Sequence, residues 1–178
     1  MQTCPDCGNH AVSVRVLDGA PVHECGLCGA RYGDRAAVAR LRDLDDAARS
    51  GVEPGIWPLV GALQQLPDLS VRASGAGDAA ARTLPWVELG AAGPAALVQL
   101  ENLVKVLRLA AGSLRLHWVI EVEYQHHLAF VLKPRHGGGP VAPATVEQGA
   151  ADVLTLRQHL ERARRLQWWR HAAPPGSG

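Results

Sequence analysis

The cysteines of this chain stand as two pairs, Cys4-Pro5-Asp6-Cys7 and Cys25-Gly26-Leu27-Cys28, and there are four in all. A Cys-x-x-Cys knuckle turns two thiolates toward one point, and two knuckles brought together complete a tetrahedral S4 site suited to zinc. Four thiolates fill the coordination sphere, so water and substrate have no position on the metal. It would hold the fold without doing chemistry. The expectation is a structural zinc with Cys4, Cys7, Cys25 and Cys28 as its ligands.

Those ligands need an element that returns the chain on itself. The residues between the pairs supply one: Ala11 to Val16 reads as a strand, Leu17-Asp18-Gly19-Ala20-Pro21 as the turn, and Val22-His23-Glu24 as the return. The result resembles a zinc ribbon at 1–33. Gly8 and Gly29 follow the knuckles, where backbone N–H groups must fold back toward the sulfurs. Iron is the competing metal, because Cys-Pro-x-Cys-Gly resembles one rubredoxin knuckle, but Tyr32 is the one aromatic residue close enough in sequence to pack around it. Disulfides within Cys-x-x-Cys are strained and argue against a secreted, oxidised domain. His10 and His23 are surplus to a closed site.

Length and composition bound the remainder. The chain has 178 residues, 47% hydrophobic and 20% charged, enough for the ribbon and one further domain with its own core. No basic segment followed by an apolar stretch opens it, and no apolar run reaches the length of a membrane span, so a cytoplasmic, membrane-free protein is expected. A net charge of +1 gives no global field toward nucleic acid or an anionic surface. Within 1–33, two arginines face three acidic residues. Arg15 and Arg31 are therefore the ribbon's sole candidates for gripping phosphate.

Asp34 can cap a helix through Val38, Leu41 and Leu44, whose alternating charges suggest a solvated helical linker over 34–54. Ser50-Gly51-Val52-Glu53-Pro54-Gly55 then breaks the chain. Helical spacing recurs from Ile56 to Leu66, followed by strands at Leu69–Ala73 and Trp86–Leu89. A helix from Pro94 to Ala111 follows, with Leu97, Leu100, Val104 and Leu107 on one face. Leu116, Trp118, Ile120, Val122 and Tyr124 share one parity of a strand, and Leu128, Phe130 and Leu132 continue that apolar face on its hairpin partner. After the His-Gly-Gly-Gly-Pro run, a long helix spans about Ala144 to Trp169, with Val146, Ala150, Val153, Leu160 and Ala163 recurring. The fold class is α+β: the ribbon, then an α-β-β-α-β-β-α domain with a mostly antiparallel sheet. The domain occupies 55–140, and 141–178 is a C-terminal helix packing on it with a frayed tail. Helix-strand-strand occurs twice, a hint of internal repetition.

The segment Ser74-Gly75-Ala76-Gly77-Asp78 offers a glycine-rich turn after a strand, where backbone amides could approach a phosphate or cofactor, although it lacks a Gly-Lys-Ser/Thr ending. Gly55-Ile56-Trp57-Pro58-Leu59-Val60 to Leu66-Pro67, a strand, this small-residue loop, and Leu84-Pro85-Trp86-Val87 together resemble the core of the wybutosine-synthesis tRNA methyltransferase family over residues 55–133. The resemblance implies S-adenosylmethionine binding and tRNA methylation, with Ser74 and Asp78 as ligand contacts. Where that family carries a Ser-Ser-Cys-Ser-Gly-Arg motif, this chain has Ala73-Ser74-Gly75-Ala76-Gly77-Asp78, without the cysteine and the arginine.

Other polar groups offer less. His117, His126, His127 and His136 surround the hairpin, but neighbours in a strand or turn do not chelate as a pair. Glu121 and Glu123 share a strand face with no evident third partner. No nucleophile elbow is present. On the last helix, Arg157, Arg162, Arg164, Arg165 and Arg170 cluster near Trp168 and Trp169, a pattern that can neutralise phosphates and stack on bases. Its alternative is an apolar stripe docked on the sheet with solvated arginines, Asp152 and Glu161 pairing along the helix. The reading is a zinc-binding, non-catalytic docking module with a protein partner. The alternative is an RNA-binding or RNA-modifying protein in which Arg162, Arg164, Arg165, Trp168 and Trp169 contact RNA.

Overall fold

The computed structural model describes residues 3–124 and 128–167, and the chain divides into two compact units between Ser50 and Gly51. In the first unit, β1 (Val12–Leu17), β2 (Ala20–Cys25) and β3 (Arg31–Gly33) form an antiparallel sheet in that order. The β1–β2 turn is tighter than its sequence suggests. Val16 pairs with Pro21 and Leu17 with Ala20, leaving Asp18 and Gly19 as a two-residue loop with φ of +49° and +81°. Positive φ at both positions is the type I′ geometry, whose twist matches the strands it joins. The third strand is three residues long, too short to show a period. Gly33 permits it: with φ +133°, a Cβ there would lie 2.5 Å from the carbonyl oxygen of Pro21.

The Asp34 carboxylate accepts the Ala37 N–H at 2.8 Å, capping α1 (Arg35–Ser50). Ala37 and Leu41 are buried with Val22 in a small core, and Arg31 reaches Asp45 at 2.5 Å while Arg40 reaches Asp18 at 3.2 Å. The charges that look solvated in sequence partly face the sheet. Helix α1 packs on β2 and β3, so it belongs to the unit that carries the cysteines and is not a free linker.

The second unit runs α2 (Trp57–Leu63), β4 (Leu69–Gly75), β5 (Trp86–Ala91), α3 (Pro94–Ala110), β6 (Trp118–Tyr124), β7 (Leu128–Pro134) and α4 (Pro143–Arg165). Its sheet has the order β4-β5-β7-β6 with every pairing antiparallel, so the fold is α+β as expected. Strands β5 and β6 are consequently parallel to each other, joined through α3, with β7 inserted between them. Helix α2 packs on β4 and α3 on β6, and α4 lies against both helices. One core results, in which Ile56, Leu59 and Leu63 meet Val87, Leu89, Leu132, Leu103, Val153 and Leu156. Fully burying each such side chain contributes about 1.5–3 kcal/mol, which fixes the strand parity.

Several face assignments differ from the periodic pattern. Leu97 and Ala150 are exposed, whereas Leu103, Val106 and Leu156 are buried. The faces of α3 and α4 are rotated from the expected stripes because each must also meet a neighbouring helix. On β6 the apolar parity outruns its cover: Trp118 is buried, but Val122 is 61% and Tyr124 79% exposed.

Candidate metal centre

Both knuckles fold by the same bonds. The Cys4 N–H donates to Asn9 O at 2.8 Å and the Gly8 N–H to Cys4 O at 2.9 Å; the Cys25 N–H donates to Ala30 O at 2.9 Å and the Gly29 N–H to Cys25 O at 3.0 Å. Gly8 and Gly29 have φ of +72° and +70°, the left-handed conformation that this reversal needs. Their N–H groups thus satisfy the carbonyl of the leading cysteine, a different partner from the sulfurs expected. The Gly26 N–H donates to Ala11 O at 2.8 Å and draws the second knuckle against the approach to β1.

This places all four Sγ atoms within 4.8 Å of one another, with Cys4–Cys28 at 3.7 Å and Cys7–Cys25 at 3.6 Å. A tetrahedron with metal–sulfur bonds of about 2.3 Å has edges of about 3.8 Å. A disulfide requires about 2.05 Å, and all four cysteines are free. The donor set and its spacing therefore fit a metal ion. Cys4 and Cys25 are buried and Cys7 and Cys28 exposed, so the ion would sit at the edge of the unit.

Without a cation the Cys7 and Cys28 thiols resist ionisation. Backbone N–H groups of Cys28 and Leu27 pull Cys25 down to about 6. The Asn9 N–H favours the Cys7 thiolate, but contacts with Cys28, burial, and contacts with Cys25 and Cys4 outweigh it and push Cys7 up to about 12. Cys28 is raised as well: the Ala30 N–H and Cys7 lower it, but burial and the thiols of Cys25 and Cys4 overcome them. A bound cation removes this mutual repulsion.

The nearby side chains stay outside the cluster. His23 stacks on Tyr32 with ring centroids 5.2 Å apart, and His10 Nδ1 lies 3.4 Å from Thr3 Oγ1. Arg31 is occupied by Glu24 and Asp45, which leaves Arg15 as the exposed cation of the hairpin.

The remaining candidate residues do not converge on this centre. Ser74 lies within β4, which runs through Gly75, and pairs with Val87. Asp78 spends its carboxylate on its own turn, accepting the N–H groups of Ala80 at 2.6 Å and Ala81 at 3.2 Å. Glu121 and Glu123 do have a third partner, Lys133, at 3.0 and 2.7 Å. His136 Nε2 lies 3.3 Å from Gly139 O, and His126 and His127 lie outside the described residues. Arg162, Arg164 and Arg165 are in the last turn of α4, with Arg164 donating to Gln65 Oε1 at 3.1 Å; Trp168 and Trp169 lie outside the described residues.

Sequence periodicity missed Asp152. Its side chain does not pair along α4 but is buried, accepting the N–H of Arg115 at 2.9 Å, that of Leu116 at 2.9 Å, and the indole N–H of Trp118 at 3.1 Å. An acidic residue on the apolar stripe of a helix was the available signal. No family model, curated protein or solved structure matches the chain, and the tRNA methyltransferase resemblance thus gains no support.

Proposed function

We propose that this protein is a non-catalytic docking module whose N-terminal unit is held together by zinc and which works in the cytoplasm, where its thiols stay reduced. A closed S4 centre offers no coordination position for a substrate, and zinc suits such a site because its d10 ion has no redox demand. The observation that carries the docking reading is the face of β1. This edge strand of the three-stranded sheet exposes Val14 (54%) and Val16 (70%) on one parity, and Leu27, at the tip of the second knuckle, is 72% exposed. Apolar side chains on an edge strand are costly to leave bare and are suited to cover by a protein partner. The partner's identity would be read by contact, with the metal only setting the shape.

Native mass spectrometry of purified protein would give one zinc per chain; one iron with rubredoxin-like visible absorption would overturn the metal assignment. For docking, a photo-crosslinking residue placed at Val16 should capture one defined protein in cells. That capture should vanish on Val14→Asp. The same crosslinker placed at exposed Glu147 controls for the label and should give background only. Equal capture from both positions would refute the reading. Crosslinking to RNA, lost on Arg162→Glu with Arg165→Glu and reversed by salt, would replace it with the RNA alternative.

A further inference from the structure

Helix α3 and strand β6 leave a cavity of about 520 Å³ between them. It lies at the outer margin of the second unit, because β6 ends the sheet order. The walls are apolar, with Val104 and Leu107 from the helix and Ile120 from the strand, while Arg108, Arg115 and His117 also line it. No acidic residue lines it; the Asp152 carboxylate behind the wall is taken up by the Arg115 and Leu116 N–H groups and the Trp118 indole, and among the described residues neither guanidinium is in an ion pair. Beyond the cavity, the same parity of β6 continues as exposed Val122 and Tyr124. The seven residues of β6 pair with β7 on one side and, among the described residues, with no strand on the other.

An edge strand bordering a helix-walled apolar groove, with uncompensated cations at one end, is suited to an extended peptide. Backbone bonds to β6 would hold such a peptide, alternate side chains would enter the groove, and a carboxylate would meet the arginines. We propose that this groove binds an extended peptide by antiparallel strand addition to β6, an apolar side chain entering beside Ile120 and the peptide's C-terminal carboxylate seating at Arg108 and Arg115. The charge selects the end, since Arg108 from the last turn of α3 and Arg115 from the approach to β6 both lie at the strand's beginning. This deepens the docking reading and rests on it, but it uses the second unit and none of the surface around Val14 and Val16.

The probe is a library of random heptapeptides with free C-termini, displayed and panned against the full zinc-loaded chain, with counter-selection on an Arg108→Glu/Arg115→Gln variant. Both side chains are exposed, so the variant should keep the parent's melting profile. Expected is enrichment of peptides with alternating apolar residues that lose binding when their C-terminal carboxylate is amidated. Their affinity should fall about tenfold or more in the variant and be lost when the peptide backbone is N-methylated at alternate residues. Amide exchange should slow across Trp118–Tyr124. Peptides that bind both proteins equally, or no enrichment at all, would overturn the proposal. So would concentration-dependent dimerisation abolished by Val122→Lys, which assigns the edge to a second copy. If enriched peptides lose affinity on Val14→Asp and not on Arg108→Glu, the groove proposal fails while the ribbon docking reading stands.

Discussion

Replacing Asp152 by Asn keeps the shape of the side chain and removes the charge and one acceptor oxygen. In the native chain Oδ1 takes the Arg115 N–H, and Oδ2 takes the Leu116 N–H and the Trp118 indole N–H. The best the amide can do is place its oxygen where Oδ2 was, keeping two bonds at neutral strength. Its NH2 group then faces the Arg115 N–H, donor against donor. A hydrogen bond to a charged group contributes about 1.5–3 kcal/mol and a neutral one about 1 kcal/mol, so one lost and two weakened bonds amount to about 2.5 kcal/mol or more. The Asp152→Ala change would leave all three donors unpaired, with an expected loss of about 3–5 kcal/mol. Urea unfolding followed by far-ultraviolet circular dichroism, with zinc held in excess, measures both variants, and hydrogen exchange at the Arg115 and Leu116 amides localises the effect. A loss under about 0.5 kcal/mol for Asp152→Asn, with those amides still protected, would refute the claim that this carboxylate fastens α4 to the entry of β6.

The metal centre makes a separate prediction. Cys4→Ser or Cys25→Ser should release the metal and unfold the first unit while the second keeps its own transition; full retention of one equivalent by both variants would contradict the S4 assignment. Because protons compete for the sulfurs, metal affinity should rise with pH and fall on acidification, read by a zinc-release dye between about pH 4 and 8. Gln99, 5% exposed with no partner for its Oε1 among the described residues, sits in α3 at a cost, and the similarly shaped Gln99→Met should raise stability by about 1 kcal/mol in the same urea assay. A destabilised variant would mean the amide is bonded. Lys133 is raised by its hydrogen bonds to Glu123 and Glu121, so the folded state binds its proton more tightly than the unfolded chain does. That stabilising contribution is complete below the unfolded value of 10.5 and disappears as pH rises through the higher folded one. At this partly exposed site, Lys133→Met should cost under about 1 kcal/mol at pH 7 and less still at high pH, read from urea midpoints at the two pH values.

What the sequence made legible follows from how local each signal is. The cysteine spacing and the Asp34 cap are local and appear where they were expected; strands β6 and β7 also lie where their alternation put them, but Val122, Tyr124 and Leu128 of the apolar parity are exposed while Ala129 and Val131 are buried. The two-residue turn at Asp18-Gly19 was obscured by Ala20 and Pro21, which look like turn residues but pair with Leu17 and Val16. Strand β3 is too short to carry a period. The exposed end of β6 depends on how far α3 reaches over the sheet, which no alternation records. Asp152 is the clearest case of a non-local cause: its acceptors serve backbone donors 36 and 37 positions earlier, and their need for a partner leaves no mark on residue type.

The sheet order β4-β5-β7-β6 reads outward from its middle as the second strand and then the first strand of each helix-strand-strand half. The halves meet through a register of three residue pairs, Val87 with Leu132, Glu88 with Val131 and Leu89 with Phe130, against six in β4–β5 and seven in β6–β7. Each hairpin can therefore assemble from its own neighbours in sequence, and the central seam is where two nearly complete pieces are joined. Helix α4, which follows both hairpins in the chain and contacts both α2 and α3, closes that seam like a splint across a joint. A ribosome-bound chain that has not yet made α4 would lack the element that packs on both halves, leaving their union to this short register and the side chains beneath it.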